Sequence, residues 1–184
     1  MIAAAYDGNP GSRDRESREA GEIVADGVEA VVEADGIVAV RAAEPFTVPV
    51  VVRGYETDTQ GHLNQSVYLQ YAEHARWSLL QASGIGQSAM VATGIGPVTI
   101  ETTIRYRREL RAGDEVEVSA AIVWGEGRTF VFEQTVRRTD GTVAAEISAV
   151  CGLLDLTERK LVKDPGAALR ALADDPSPLG LSAE

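Results

Sequence analysis

The firmest pattern in the chain is a recurrence of apolar residues at helical spacing over residues 64–82, where Val67, Tyr68, Tyr71, Ala72, Ala75, Leu79 and Leu80 fall on one side. Asn64 stands where an N-cap belongs, and Ser83-Gly84 with Gly86 supplies the stop. Around this helix the pattern changes to β-prone runs. One precedes it, over 46–55, with Pro49 marking an edge position or a bulge. Four follow it, over 98–108, 115–123, 129–138 and 143–156, divided by the turn signals Gly113-Asp114, Gly125-Glu126-Gly127 and Asp140-Gly141. Residues 84–97 read as a Gly-rich connection, 165–173 as a short amphipathic helix, and the remainder as a loose end. Strand, long helix, then four strands predicts an α+β fold: a curved antiparallel sheet of about five strands wrapped around one central helix. One helix cannot cover five long strands and their edges, so a homo-oligomer is expected.

The first 45 residues follow other patterns. Residues 1–22 combine Gly, Asn, Pro and Ser with a charge-dense run, the profile of a loose tail. Residues 23–45 hold short apolar pieces divided by Asp26-Gly27 and Asp35-Gly36, which predicts a β extension built on hairpins. The chain thus divides into a tail (1–22), an N-terminal β extension (23–45), a main domain (46–160) and a C-terminal tail (161–184).

Composition narrows the partners. The net charge of −11 argues against nucleic acid, whose phosphates need clustered Lys and Arg, although a few arginines at one mouth can still receive an anion. No run of about 18 apolar residues is present, so no membrane span is expected. The amino terminus lacks a basic region followed by a long apolar one, and a cytoplasmic location is the expectation. The lone Cys151 lies in an apolar run and reads as a buried strand residue.

The chemistry concentrates between Arg53 and Trp77, in RGYETDTQGHLNQSVYLQYAEHARW. Tyr55, Glu56, Asp58, Gly61, His62, Asn64, Tyr68, Glu73 and Arg76 follow one another there, and Ile104 to Arg108 and Ala112-Gly113-Asp114 follow downstream. This series resembles the first strand, loop and central helix of the hot-dog-fold acyl-CoA thioesterases, in their 4-hydroxybenzoyl-CoA thioesterase-like branch. The resemblance covers roughly residues 46–157. It implies hydrolysis of an acyl thioester carried by coenzyme A or by a carrier protein, and assembly into a homodimer or homotetramer. It calls for no cofactor beyond the CoA of the substrate.

The residues make sense for that reaction. A helix N-terminus offers unpaired amides and a positive dipole end to charge growing on a carbonyl oxygen. Asp58, one short loop earlier, is placed to act as nucleophile or as general base on water, and the sequence leaves that choice open. Its plain alternative is a turn aspartate. By resemblance the polarising amide belongs to Gln65. His62 and Asn64 complete the catalytic candidates, each with a preferred structural reading: His62 pinning the loop, Asn64 capping the helix. Glu73, among the expected substrate contacts, reads either as the central-helix catalytic carboxylate that some members of the resembled family use or as the i, i+3 ion-pair partner of Arg76, the latter preferred. His74 reads as a surface residue, and two histidines without a nearby cysteine predict no metal site.

For the phosphates of CoA, Arg105, Arg107 and Arg108 cluster on one strand, while Arg128, after the loop 125–127, is the preferred contact by resemblance. Gly61, Tyr68 and Thr129 complete the expected substrate contacts. Two other functions stay open. A dehydratase or hydratase of β-hydroxyacyl thioesters is disfavoured because Leu63 stands where its Gly-His-Pro loop has proline, and a non-catalytic acyl-thioester binding module is the other.

Overall fold

The computed structural model describes residues 44–182 and, ahead of them, the backbone of three strands within 23–42. The expected tail 1–22 and both Asp-Gly turns of the extension lie outside the described residues. The elements run β1 (Ile23–Ala25), β2 (Val28–Val32), β3 (Val38–Ala42), β4 (Phe46–Val51), α1 (Gln65–Ala82), α2 (Gln87–Ala92), β5 (Ile95–Tyr106), β6 (Glu115–Trp124), β7 (Thr129–Arg138), β8 (Val143–Asp155), β9 (Lys160–Leu161) and α3 (Pro165–Arg170).

Five antiparallel strands in the order β4-β6-β7-β8-β5 make the curved sheet that packs on α1. Alternation fixes its two faces. Val116, Val118, Ala120 and Ile122 of β6 are buried, as are Phe130, Phe132, Gln134 and Val136 of β7 and Ile147, Ala149 and Cys151 of β8. From α1, Ala72 and Ala75 are fully buried, and their small side chains let the helix lie close on the sheet. Larger side chains there would overpack the contact. Cys151 is buried as expected, and burial pushes its thiol pKa up.

β1, β2 and β3 form an antiparallel meander that joins the same sheet where Val40 lies opposite Trp124 at the end of β6. β4 covers the other half of that edge, and Pro49 sits in it opposite Glu117, a position with one paired side. β5 ends the sheet on the far side. Its register against β8 slips by one between Thr99 and Glu101, leaving Ile100 as an extra, exposed residue. Among the described residues no helix is long and apolar enough to cross a membrane.

Three stretches differ from the sequence reading. β4 stops at Val51 instead of running to residue 55, because Gly54–Glu56 turns into a 3₁₀ helix whose Glu56 carboxylate accepts from the Arg53 amide at 2.7 Å. The Gly-rich connection contains α2, a helix too short to stand on propensity and held by the fully buried Met90. Within the stretch 174–182, expected to be loose, residues 179–181 are packed instead. Leu179 and Leu181 are buried, and the indole of Trp124 donates to the Leu179 carbonyl at 2.7 Å, the acceptor a buried tryptophan needs.

Candidate active site

The loop from Thr57 to Leu63 is wound by its own hydrogen bonds. Asp58 donates its amide to the His62 carbonyl at 2.8 Å, and the Gly61 amide returns to the Asp58 carbonyl at 3.0 Å. Gly61 takes a φ of +76°, where a side chain is strained. Asp58 Oδ1 accepts from the amides of Gln60 at 2.8 Å and His62 at 3.2 Å, while Oδ2 receives no donor among the described residues. One oxygen of the carboxylate holds the loop, and the other has no partner among the described residues. A bond from the Leu63 amide to the Leu110 carbonyl at 2.7 Å and a bridge between His62 and Arg111 fasten the loop to the segment that joins β5 to β6.

The helix begins one residue later. Asn64 Oδ1 accepts from the Ser66 amide at 3.0 Å, and the Asn64 carbonyl accepts from the Val67 amide at 2.9 Å. Asn64 is therefore a helix cap. The amide of Gln65, alone in the first turn, donates to no acceptor among the described residues. An unbonded N–H at the positive end of an 18-residue helix is a ready donor to developing negative charge.

Asp58, His62, Gln65, Tyr68 and Tyr106 line one cavity of about 970 Å³. Burial pushes the Tyr68 phenol up to about 12, so it stays protonated at neutral pH. Arg107, Arg108, Arg111 and Arg138 surround the opening. Three of them are matched to acids: Arg107 to Glu146 at 2.7 Å, Arg111 to Glu109 at 3.0 Å and Arg138 to Asp114 at 2.8 Å. Arg108 donates only to the Arg107 carbonyl and meets no carboxylate among the described residues. Glu109 also lies 3.6 Å from His62 Nε2, and the Arg111 hydrogen bond, with His62 second, lowers its pKa. Among the described residues no group of three or more His, Cys, Asp or Glu side chains gathers as a metal would require.

The model of the thioesterase-like superfamily matches residues 52–172. The chain belongs to that superfamily. It is 32% identical over 114 residues to the long-chain acyl-CoA thioesterase FadM of Escherichia coli (strain K12), covering 60% of this chain and 84% of the relative. A putative esterase of Aquifex aeolicus is 31% identical over 130 residues, 71% of this chain and 99% of its own. Among solved structures, the YbaW probable thioesterase of Escherichia coli superposes with a TM-score of 0.61 at 28% identity, over 69% of this chain and 95% of that one. The fold is the hot-dog fold, and the chain is a thioesterase.

Other expected residues of this thioesterase fall elsewhere. Arg128 and Thr129 stand at the start of β7, whose last residue, Arg138, is at the Asp58 cavity. Nine residue steps of strand lead from Thr129 to Arg138, about 30 Å. Arg128, the preferred phosphate contact, instead donates to the Leu161 carbonyl at 2.5 Å. Glu73 is exposed and does not pair with Arg76. The Arg76 guanidinium goes to Gln134 Oε1 at 3.0 Å and lies 5.7 Å from the Phe132 ring centroid, because the buried Gln134 amide offers it an acceptor on the sheet. His74 is exposed, and Arg105 lies on the outer sheet face, where it pairs in register with Glu146.

Several site residues were not singled out from the sequence. Tyr71 braces the loop through Glu56, while Glu109, Arg111 and Arg138 line the cavity. A strand that ends in Arg137-Arg138 just before Asp140-Gly141 was the visible signal for the last of these.

Proposed function

We propose that the protein hydrolyses acyl-CoA, with Asp58 as nucleophile or general base and the Gln65 amide polarising the thioester carbonyl. The observation that carries this is the meeting in one cavity of Asp58, whose Oδ2 has no donor among the described residues, and Gln65, whose helix-terminal amide has no acceptor among them. In one route Asp58 Oδ2 attacks the carbonyl carbon, the C–S bond breaks, the thiolate is protonated from solvent, and water opens the mixed anhydride. In the other Asp58 takes a proton from water as that water attacks, and the same C–S bond breaks. The carbonyl oxygen gains charge in both, facing the Gln65 amide. His62 steadies the loop through Glu109 and is within the same cavity for proton transfer. No cofactor enters beyond the CoA of the substrate.

Acyl-CoA rather than a carrier-bound acyl group is favoured by the arginine rim in a chain of net charge −11, and by the long-chain acyl-CoA thioesterase among its relatives. Gly61 and Tyr68 border the reacting end. Arg128 and Thr129, as substrate contacts, act through a second copy, since about 30 Å of strand separates Thr129 from Arg138. A homodimer or homotetramer using the open edge of β5 is part of this reading, as is a cytoplasmic location. Thiol release from acyl-CoA, acyl-pantetheine and acyl-carrier-protein tests the substrate, with light scattering for the assembly. Wild-type turnover of every acyl-CoA offered by Asp58→Asn would end the proposal.

A further inference from the structure

Arg76 is a half-buried cation on α1 with no duty in the hydrolysis itself. One guanidinium nitrogen donates to Gln134 Oε1 at 3.0 Å, and no carboxylate meets the group among the described residues. Gln134 is fixed in turn, its amide donating to the Ala72 and Ser119 carbonyls at 2.9 and 3.2 Å. A guanidinium carries five N–H groups, so most of those on Arg76 have no acceptor among the described residues. None of its nitrogens is among the buried side-chain atoms that lack a partner, so the spare N–H groups are open to solvent.

The guanidinium stands at one end of an uncovered strip between α1 and β5. At the other end the Tyr106 hydroxyl donates to the Gln65 carbonyl at 3.1 Å, and the Tyr106 ring meets Tyr68 edge-on at the Asp58 cavity. At the Arg76 end, Thr99 Oγ1 lies 3.8 Å from Cys151 Sγ. Burial raises the pKa of that thiol, and the nearby Arg76 charge pulls against the rise. Helix and strand thus run side by side in opposite directions. The register against β8 sets Thr99, Thr102 and Ile104 opposite the buried Cys151, Ala149 and Ile147, on the face toward α1. Thr99 and Thr102 are exposed, as is Leu69, which shares a helix face with Gln65 and Arg76.

Eleven residue steps of helix lead from Gln65 to Arg76, about 16 Å along the axis. The arginine side chain leans back toward the helix start, and an extended chain gains about 1.2 Å per bond. An acyl chain that leaves a carbonyl on the Gln65 amide and follows the strip reaches the guanidinium in roughly ten bonds. A hydrocarbon end there would strip water from the cation and return nothing, whereas a carboxylate would take up the N–H groups that Gln134 leaves over. Resting on the thioesterase reading above, we propose that Arg76 is a specificity residue that receives a carboxylate at the far end of the acyl chain. The preferred substrate is then the CoA monothioester of a dicarboxylic acid of about ten carbons.

Thiol release is measured for decanedioyl-CoA against decanoyl-CoA and for hexanedioyl-CoA against hexanoyl-CoA, in wild type, Arg76→Met, Arg76→Lys and Asp58→Asn. In wild type the ten-carbon diacid is expected to lead in kcat/KM by about 30-fold, with no comparable lead at six carbons, where the carboxylate falls short. Arg76→Met should bring the ten-carbon ratio to within about threefold of one, and Arg76→Lys, which keeps the charge, should retain more of it. A ten-carbon ratio near one in wild type overturns the role of Arg76, while thiol release from both compounds leaves the thioesterase reading standing. A lead that survives in Arg76→Met, or one equally large at six carbons, overturns it as well. The wild-type ratios decide the matter even where a variant folds poorly. Full activity of Asp58→Asn overturns the thioesterase reading, and the role of Arg76 with it.

Discussion

The phenol of Tyr71 donates to Glu56 Oε2 at 2.5 Å, joining the middle of α1 to the start of the Asp58 loop. Glu56 also receives the Arg53 amide and guanidinium, and its carbonyl accepts from the Asn64 amide at 2.9 Å. One acid thus spans both ends of the loop. Its carboxylate is nearly buried, so the loss of one partner is felt. Tyr71→Phe is expected to lower the unfolding free energy by about 1.5–3 kcal/mol, the range for a hydrogen bond to a charged group, as read by urea denaturation.

The same contact sets an acid limit. Burial by itself raises the Glu56 pKa, but the bonds from Tyr71 and from Arg53 outweigh it and leave the carboxyl below its ordinary 4.5. A folded pKa below the unfolded one gives stability that is complete above about 4.5 and is lost as pH falls through the lower folded value. Melting temperature should therefore hold from neutral down to about pH 5 and fall below it. The acid loss should be smaller in Tyr71→Phe, and equal slopes in both proteins would refute the assignment.

Asp58 separates its two duties by substitution. Asparagine keeps an Oδ1 to receive the amides of Gln60 and His62, whereas alanine leaves both without that acceptor. Both variants should lose hydrolysis, by about 10³-fold or more, if Asp58 is nucleophile or base. Only Asp58→Ala should unfold earlier, by about 1 kcal/mol. Single-turnover hydrolysis in ¹⁸O-water then distinguishes attack by the carboxylate, whose anhydride opened at the Asp58 carbonyl leaves the label in Asp58, from direct attack by water, which places it in the released acid.

Among the described residues Arg108 is the arginine of the cavity that meets no acid, so it can meet a phosphate without breaking a pair seen there. Arg108→Glu is expected to raise KM for acyl-CoA by about tenfold, with kcat and the KM for acyl-pantetheine little changed. The wild-type advantage should shrink as salt rises from 0.05 to about 0.5 M, since an exposed charge is screened over the Debye length.

What was legible in the sequence was what is local. The helix over 64–82, its Asn64 cap and the turn around Asp58 each depend on bonds within a few residues, and spacing alone reports them. Tyr106 reaches Gln65 across 41 positions, and the partner of Arg76 proved to be Gln134, 58 positions away, in place of Glu73 three positions back. Strand pairing makes those meetings, and no periodicity announces them. The C-terminal end misled for a related reason. Its prolines and serines read as loose chain, while Leu179 and Leu181 each fill a place that only the assembled sheet creates.

The extra residue at Ile100 also governs what can be added to the outer edge of β5. At that point the strand's N–H and C=O groups change the side to which they point. A second strand laid antiparallel along the edge can follow residues 95–99 or 101–106 in one unbroken ladder, but it cannot cross Ile100 without an irregularity of its own. Two copies meeting there across a twofold axis would therefore have a choice of two alignments, each centred away from Ile100, in place of a continuous slide. A single inserted residue, far from the carboxylate, restricts where the neighbouring subunit can stand.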